Sequence, residues 1–287
     1  MTDKARSASK TALAVAYLRA AHQLLDAKPL IFDDPVALKL LGDEGRPRIE
    51  ANKERYSLPA ARGLRSHVVL RSRFAEDRLE QSVARGINTY VILGAGFDTF
   101  AYRQPQWAHD LRIIEVDHPE SQAAKRARLA RAGIDIPSNV QFADIDFEHE
   151  TLDEGFRRHG ISLLEKTFFS WLGVTVYLTE EAVEDVFREI ARFPSGSEIA
   201  FTFSQPPEKK TFWQKIFGRP SIAKMAAKAG EPWLTYYEPE KLRWMLSETG
   251  FPEVYFLTPD ASRQKYFADH RTDIPVPRRT SIASAIR

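Results

Sequence analysis

Two glycines and a set of carboxylates mark the chemistry this chain could do. Gly94 and Gly96 flank Ala95 directly after the apolar run Tyr90–Leu93, and Asp98 follows two residues on. Such a run reads as a strand buried on both faces. Glycine carries no Cβ and tolerates positive φ, so the chain can turn sharply here and lie close against a ligand. In a doubly wound α/β sheet, the loop leaving the first strand is where a nucleotide-type cofactor sits. A dinucleotide fingerprint would need a third glycine at position 99, which is Thr99. Asp98 also sets a negative charge where a pyrophosphate would lie, an unfavourable pairing. A cofactor with a positive amine and no phosphate suits the loop better. S-adenosylmethionine, with an ammonium, a carboxylate and a sulfonium, is such a cofactor. A turn that binds nothing is the plainer reading of the glycines alone; the incoming strand and Asp98 favour a ligand loop.

A nucleoside needs its ribose hydroxyls held, and one carboxylate can accept from both. Asp117, at the end of the second predicted strand, lies about twenty residues beyond the glycine loop, as that role requires. Glu115, two residues earlier, is expected to point the same way and is the reserve candidate. Asp144 and Ile145, at the end of the third strand, are placed to accept from an adenine amino group and to offer it an apolar neighbour. Each acid alone reads as a solvated strand end; three at successive strand ends form a pattern. Asp144 and Asp146 are also conceivable metal ligands, but no compact Asp/Asn/His set accompanies them, so no metal is expected. His67, His109 and His118 fall near the edge of this site. Tyr177, Tyr236 and Tyr237 are candidate acceptor contacts, with packing as the plainer role of each.

These residues need a scaffold, and the pattern supplies one. Helices are expected over about Lys10–Ala27, Val36–Leu41 and Pro59–Arg85, separated by a polar connection from Asp43 to Tyr56. From Tyr90 onward strand and helix alternate. Strands are expected at Tyr90–Leu93, Leu111–Val116, Asn139–Ala143, Thr167–Leu172, Glu198–Phe203 and Val254–Leu257, and a last one at Ser281–Ile286. Helices starting at Pro119, Thr179 and Pro239 lie between them. The order predicts a doubly wound, mostly parallel seven-stranded α/β sheet of the Rossmann-like kind. The chain divides into an N-terminal helical cover (1–86), a cofactor-binding core (87–204), an inserted helical lid (205–236) and a C-terminal part of the core (237–287), all one domain. Phe212, Trp213, Phe217 and Trp233 would give the lid apolar walls.

Composition narrows the class. At 287 residues, 43% hydrophobic and 28% charged, the chain is long enough for one large core. A formal net charge of +2 gives no reason to expect nucleic acid or membrane as a partner. The absence of cysteine excludes disulfides, thiolate zinc sites and cysteine nucleophiles. Met1–Arg6 leads into no apolar stretch, and a cytoplasmic protein is expected.

At this point the chain resembles a known family. Arg71-Ser72-Arg73, Leu93–Thr99, Tyr102-Arg103, Glu115–Pro119 and Gly173–Thr179 resemble motifs of the leucine carboxyl methyltransferase type of class I methyltransferases, most of all its bacterial branch. The resemblance spans about Arg71 to Thr179. It implies S-adenosyl-L-methionine as methyl donor. The loop Gly94, Ala95, Gly96 and Asp98 would hold its methionine part, Asp117 with neighbouring His118 the ribose, and Asp144 with Ile145 the adenine. Arg71 matches the family arginine that pairs with the donor carboxylate, a bidentate geometry that lysine cannot copy; Arg19 would assist. Where many relatives carry Glu-Gly-Val-Thr, this chain has Leu172-Gly173-Val174-Thr175, which alters how the donor or acceptor is read. The acceptor expected is a carboxylate or hydroxyl of a small molecule, contacted by Tyr177, Trp213 and Tyr236. The competing readings are an NAD-dependent oxidoreductase and a non-catalytic donor-binding module.

Overall fold

The computed structural model describes residues 3–146, 149–207, 232–268 and 273–287, and side chains from Lys10 onward. The N-terminal part is helical: α1 (Asp3–Leu25), α2 (Pro35–Leu40), α3 (Gly45–Ala51), α4 (Lys53–Ser57) and α5 (Pro59–Ala84). The strands β1 (Thr89–Leu93), β2 (Arg112–Asp117), β3 (Val140–Asp144), β4 (Thr167–Trp171), β5 (Glu198–Thr202), β6 (Glu253–Phe256) and β7 (Ile282–Ile286) form one sheet. Between them lie α6 (Pro119–Arg131), α7 (Leu152–Arg158), α8 (Glu180–Ile190) and α9 (Pro239–Glu248). The strand order is β3-β2-β1-β4-β5-β7-β6. All pairings are parallel except those of β7, which runs antiparallel to both β5 and β6. The sheet is therefore the mostly parallel, seven-stranded one that the alternation predicts.

Strand alternation assigns the two cores. Val91 and Leu93 of β1 join Ile114, Phe169 and Phe201 on one face, under Phe156 of α7, Phe187 of α8 and Leu246 of α9. Tyr90 and Ile92 join Ile113 and Phe168 on the other, under Val69, Phe74 and Leu79 of α5. A third cluster seats the N-terminal helices: Ala16 and Ala20 of α1, Leu40 and Ile49 pack with Phe97 and Leu129. Phe97 belongs to the glycine loop, so this layer covers the cofactor edge of the sheet.

Buried charges fix α5 at both ends. Near its start, Arg65 donates to Asp26 at 2.6 and 2.7 Å. Near its end, the fully buried Glu198 of β5 receives Arg78 at 2.5 Å, Arg85 at 2.6 Å and the Ser82 hydroxyl at 2.8 Å. Burying such a carboxylate is costly unless its oxygens are filled in this way. The helix that carries Arg71 is thus a rigid mount.

One local expectation is corrected, and one helix is added to those expected. The polar passage from Asp43 to Tyr56 folds into α3 and α4, because Ile49 is buried completely in the cluster shared with α1 and α2 and Tyr56 packs partly against it. The helix α7 has no strong periodicity, yet it carries a full capping box: the Thr151 hydroxyl accepts the Glu154 N–H, and the Glu154 carboxylate accepts the Thr151 N–H. Among the described residues, no helix is long and apolar enough to cross a membrane. Phe212, Trp213 and Phe217 of the expected lid lie outside the described residues.

Candidate active site

The glycine loop is built by backbone hydrogen bonds at the ends of β1 and β2. The N–H groups of Gly94 and Ala95 donate to the Val116 carbonyl at 2.9 and 3.0 Å. Asp117 closes the turn, since one of its carboxylate oxygens accepts the Gly96 N–H at 2.5 Å and the other the His118 N–H at 2.7 Å. Gly94 has φ +67°, and a Cβ there would stand 2.6 Å from Val174 Cγ2. Only glycine fits that position. A cavity of about 490 Å3 opens against this loop.

The opposite walls come from α1, α5 and the end of β4. Thr11, Ala12, Val15 and Arg19 present one face of α1 to the cavity, and Arg71 and Ser72 reach it from α5. Ser170, Leu172, Gly173, Val174 and Tyr177 follow β4, and Pro232 and Leu234 close the side. Arg71 is the notable group. Among the described residues it makes no hydrogen bond and no ion pair. Burial, with the Arg19 guanidinium adding repulsion, pushes its pKa down to about 10. Its guanidinium lies over Gly173, where φ is +80° and a Cβ would come within 2.6 Å of Nη1. Gly173 therefore makes room for an unpartnered cation facing the cavity. Arg19 is anchored instead: it donates to the Phe97 carbonyl, and its Nε faces Asp34 at 3.1 Å.

Of the sequence-predicted residues, the fold brings Arg71, Gly94, Ala95, Gly96, Asp98, Asp117, His118, Leu172 and Tyr177 to one cavity. Asp144 and Ile145 are not among its lining. The Asp144 carboxylate stands 3.2 Å from His159 Nε2, beyond α7, and the Ile145 side chain is buried in the core against Gly155. Tyr236 also falls outside, with its ring 6.4 Å from that of Trp233. Trp213 lies outside the described residues. Glu115 is fully buried and held by Lys125 at 2.7 Å, so it is a core ion pair rather than a second ribose ligand. His67 and His109 do not line the cavity. The sequence reading named Arg19, which lines the cavity, but missed Thr11, Ala12 and Val15 beside it on α1 and Ser121 in the first turn of α6. The spacing of Ala12, Val15 and Arg19 puts them on one helical face, but an Ala-rich helix offers many such faces.

The carboxylates of the described walls are tied to backbone N–H groups through one oxygen or both. Both Asp117 oxygens accept backbone N–H groups. Asp98 accepts the Phe100 N–H at 2.8 Å. His118 caps α6 by accepting the Glu120 N–H at Nδ1, which places its ring proton on Nε2, 3.5 Å from Asp146. Among the described residues there is also no group of three His, Cys, Asp or Glu side chains that could hold a metal ion.

Comparison with known proteins gives these features a family. A model of the family described as leucine carboxyl methyltransferase matches residues 12–191, more than half of the chain. A Bacillus subtilis (strain 168) protein named as a candidate S-adenosyl-L-methionine-dependent methyltransferase, YktD, is 30% identical over 294 residues, covering 93% of each chain. A similarly named protein of Mycobacterium marinum (strain ATCC BAA-535 / M) is 28% identical over 212 residues, covering 71% of this chain and 69% of that one. Among solved structures, a DUF574-family protein from Streptomyces avermitilis MA-4680 superposes with a TM-score of 0.53 at 15% identity, covering 96% of this chain and 97% of that chain. A candidate methyltransferase from Thermobifida fusca YX gives a TM-score of 0.51 at 19% identity, covering 87% and 92%. At those identities the structures speak for the fold alone. The chain belongs to the leucine carboxyl methyltransferase family.

Proposed function

We propose that this protein transfers a methyl group from S-adenosylmethionine to an oxygen of a small organic acceptor, with a carboxylate the preferred nucleophile. The observation that carries the reading is the meeting, in one cavity, of the glycine loop, the Asp117 carboxylate and the unpartnered Arg71 guanidinium. Arg71 would hold the donor's carboxylate through a planar, bidentate fork. Asp117 would accept from the ribose hydroxyls, and Gly94 to Gly96 would let the backbone run close along the methionine part. His118 and Ser121 line the same cavity as Asp117 and would border the nucleoside.

The donor, when bound, supplies a methyl group already activated by the sulfonium charge. The chain's own work is to orient two molecules and keep water out. Ile92, Val15, Leu172, Val174 and Leu234 give the cavity an apolar lining for that purpose. Asp117 and His118 are engaged with backbone N–H groups, and an aspartate carboxylate such as Asp98 is a weak base toward a hydroxyl. A carboxylate acceptor, ionised at neutral pH, needs no base. The test has two parts. Titration calorimetry should show saturable binding of S-adenosylmethionine and S-adenosylhomocysteine, and none of NADH. A panel of carboxylic acids and phenols, followed by release of S-adenosylhomocysteine, should turn over with the acids; turnover with phenols alone would refute the carboxylate preference.

A further inference from the structure

A cluster of charged side chains lies behind the cavity wall, and nothing in the reaction as read above uses it. Asp34, the residue before α2, is fully buried and is not part of the cavity lining. One carboxylate oxygen caps α2 by accepting the Ala37 N–H at 3.0 Å. The other accepts the Thr99 hydroxyl at 2.7 Å and faces Arg19 Nε at 3.1 Å. Arg103 adds its Nε at 3.2 Å from Thr99 Oγ1 and 3.4 Å from Asp34 Oδ1, while its other nitrogens clasp Glu76 of α5. Three chain segments thus converge on one carboxylate, namely α1, the start of α2 and the stretch leaving the glycine loop, and Arg103 links that stretch onward to Glu76 of α5. A helix cap alone does not account for this, because serine or asparagine would satisfy the same N–H without a buried charge. The residues that Asp34 grips are those next to the donor loop. Arg19 lines the cavity and also donates to the carbonyl of Phe97, and Thr99 directly follows Asp98.

We propose that Asp34 is a positioning residue for donor binding: it fixes Arg19 and the Asp98–Thr99 turn together, so that α1 closes against the glycine loop. The proposal rests on the reading of the cavity as an S-adenosylmethionine site. Without the carboxylate, Arg19 would lose its ion-pair partner, while Arg103 would keep Glu76 and the more distant charge of Asp98. Arg19 would then leave the loop, and the wall that α1 contributes would loosen.

Donor affinity in the full chain tests this by calorimetry with S-adenosylmethionine and S-adenosylhomocysteine. Asp34→Asn, which keeps size and can keep the cap, should weaken binding about tenfold or more, as expected for loss of a charge-assisted contact. Arg19→Met should weaken it similarly. The double variant should be no weaker than the weaker-binding single variant, because the two residues act through each other. Equal affinity in Asp34→Asn and parent, or effects of Asp34→Asn and Arg19→Met that simply multiply, would overturn the proposal. Thr99→Val, which removes one hydroxyl, guards against misfolding of Asp34→Asn: it should weaken binding severalfold, and parental affinity would again overturn the proposal. A parent chain that binds neither sulfur ligand overturns the cavity reading and this proposal with it; a parent that binds while the variants match it overturns this proposal alone.

Discussion

Replacing Arg71 by methionine should move stability and ligand binding in opposite directions. The guanidinium makes no hydrogen bond or ion pair with the described residues, and burial with Arg19, only partly offset by Tyr177 and Asp98, lowers its pKa from 12.5 to about 10. For a cation, a folded-state pKa below the unfolded value means that the charged form is disfavoured by folding. That penalty is fully present below about pH 10 and is relieved only above it. At about 1.36 kcal/mol per pH unit, the gap amounts to about 3 kcal/mol at most, and the open cavity side reduces it to about 2. Methionine keeps most of the stem's apolar packing, so the ligand-free Arg71→Met variant should gain about 1 kcal/mol or more, a rise in Tm of a few degrees. Donor binding should suffer in return. A charge-assisted hydrogen bond contributes about 1.5–3 kcal/mol, so loss of a bidentate pair should weaken the dissociation constant about 100-fold or more. Thermal melts without ligand and calorimetry with S-adenosylhomocysteine read the two effects separately. A ligand-free variant that is less stable than the parent, with donor affinity unchanged, would show that Arg71 is a structural cation and would refute the reasoning.

Three further outcomes follow from the same geometry. Gly173→Ala places a Cβ about 2.6 Å from Arg71 Nη1 at a positive φ; it should reproduce much of the Arg71 binding loss while leaving the charge in place, and intact affinity would mean that the guanidinium can move aside freely. Asp117→Ala removes the group that both closes the glycine turn and faces the cavity, so donor binding should weaken by about 2 kcal/mol or more; an unchanged dissociation constant in a folded variant would remove Asp117 from the site. His67, one helical turn before Arg71, has its pKa pushed down to about 3 by burial and then by Arg71. The unfolded chain therefore takes up a proton near pH 6.5 that the folded one refuses, and stability is lost as pH falls from 6.5 toward 3. The loss from this residue is at most about 1.4 kcal/mol per pH unit, and His67→Gln should flatten that limb of a urea-denaturation series; parallel acid limbs in parent and variant would assign the acid sensitivity elsewhere.

Local chemistry made much of this protein legible in its sequence. The strand-then-glycine pattern at Tyr90–Gly96 and the carboxylate at Asp117 are short-range signals, and the strands and the glycine loop stand where those signals put them. Seven strands in mostly parallel order follow from alternation and handedness. What the sequence could not fix is which strand-end side chains turn toward the cavity, since that depends on partners far along the chain. Asp144 and Asp117 are direct neighbours in the β2–β3 register, and their sequence signals are alike. Yet Asp117 takes the N–H groups of Gly96 and His118, while Asp144 stands beside His159, which arrives with α7. Glu115 was a ribose candidate until Lys125, ten positions on and one helix away, claimed it in the core. Arg71, conversely, gains its significance from what does not reach it: α5 is held at both ends by Asp26 and Glu198, and Gly173 leaves the space over which its guanidinium lies. Residue types and spacing determined the loop and the sheet because backbone geometry is local; burial and long-range pairing determined the site because a charge takes its role from the partners that folding brings to it or keeps away.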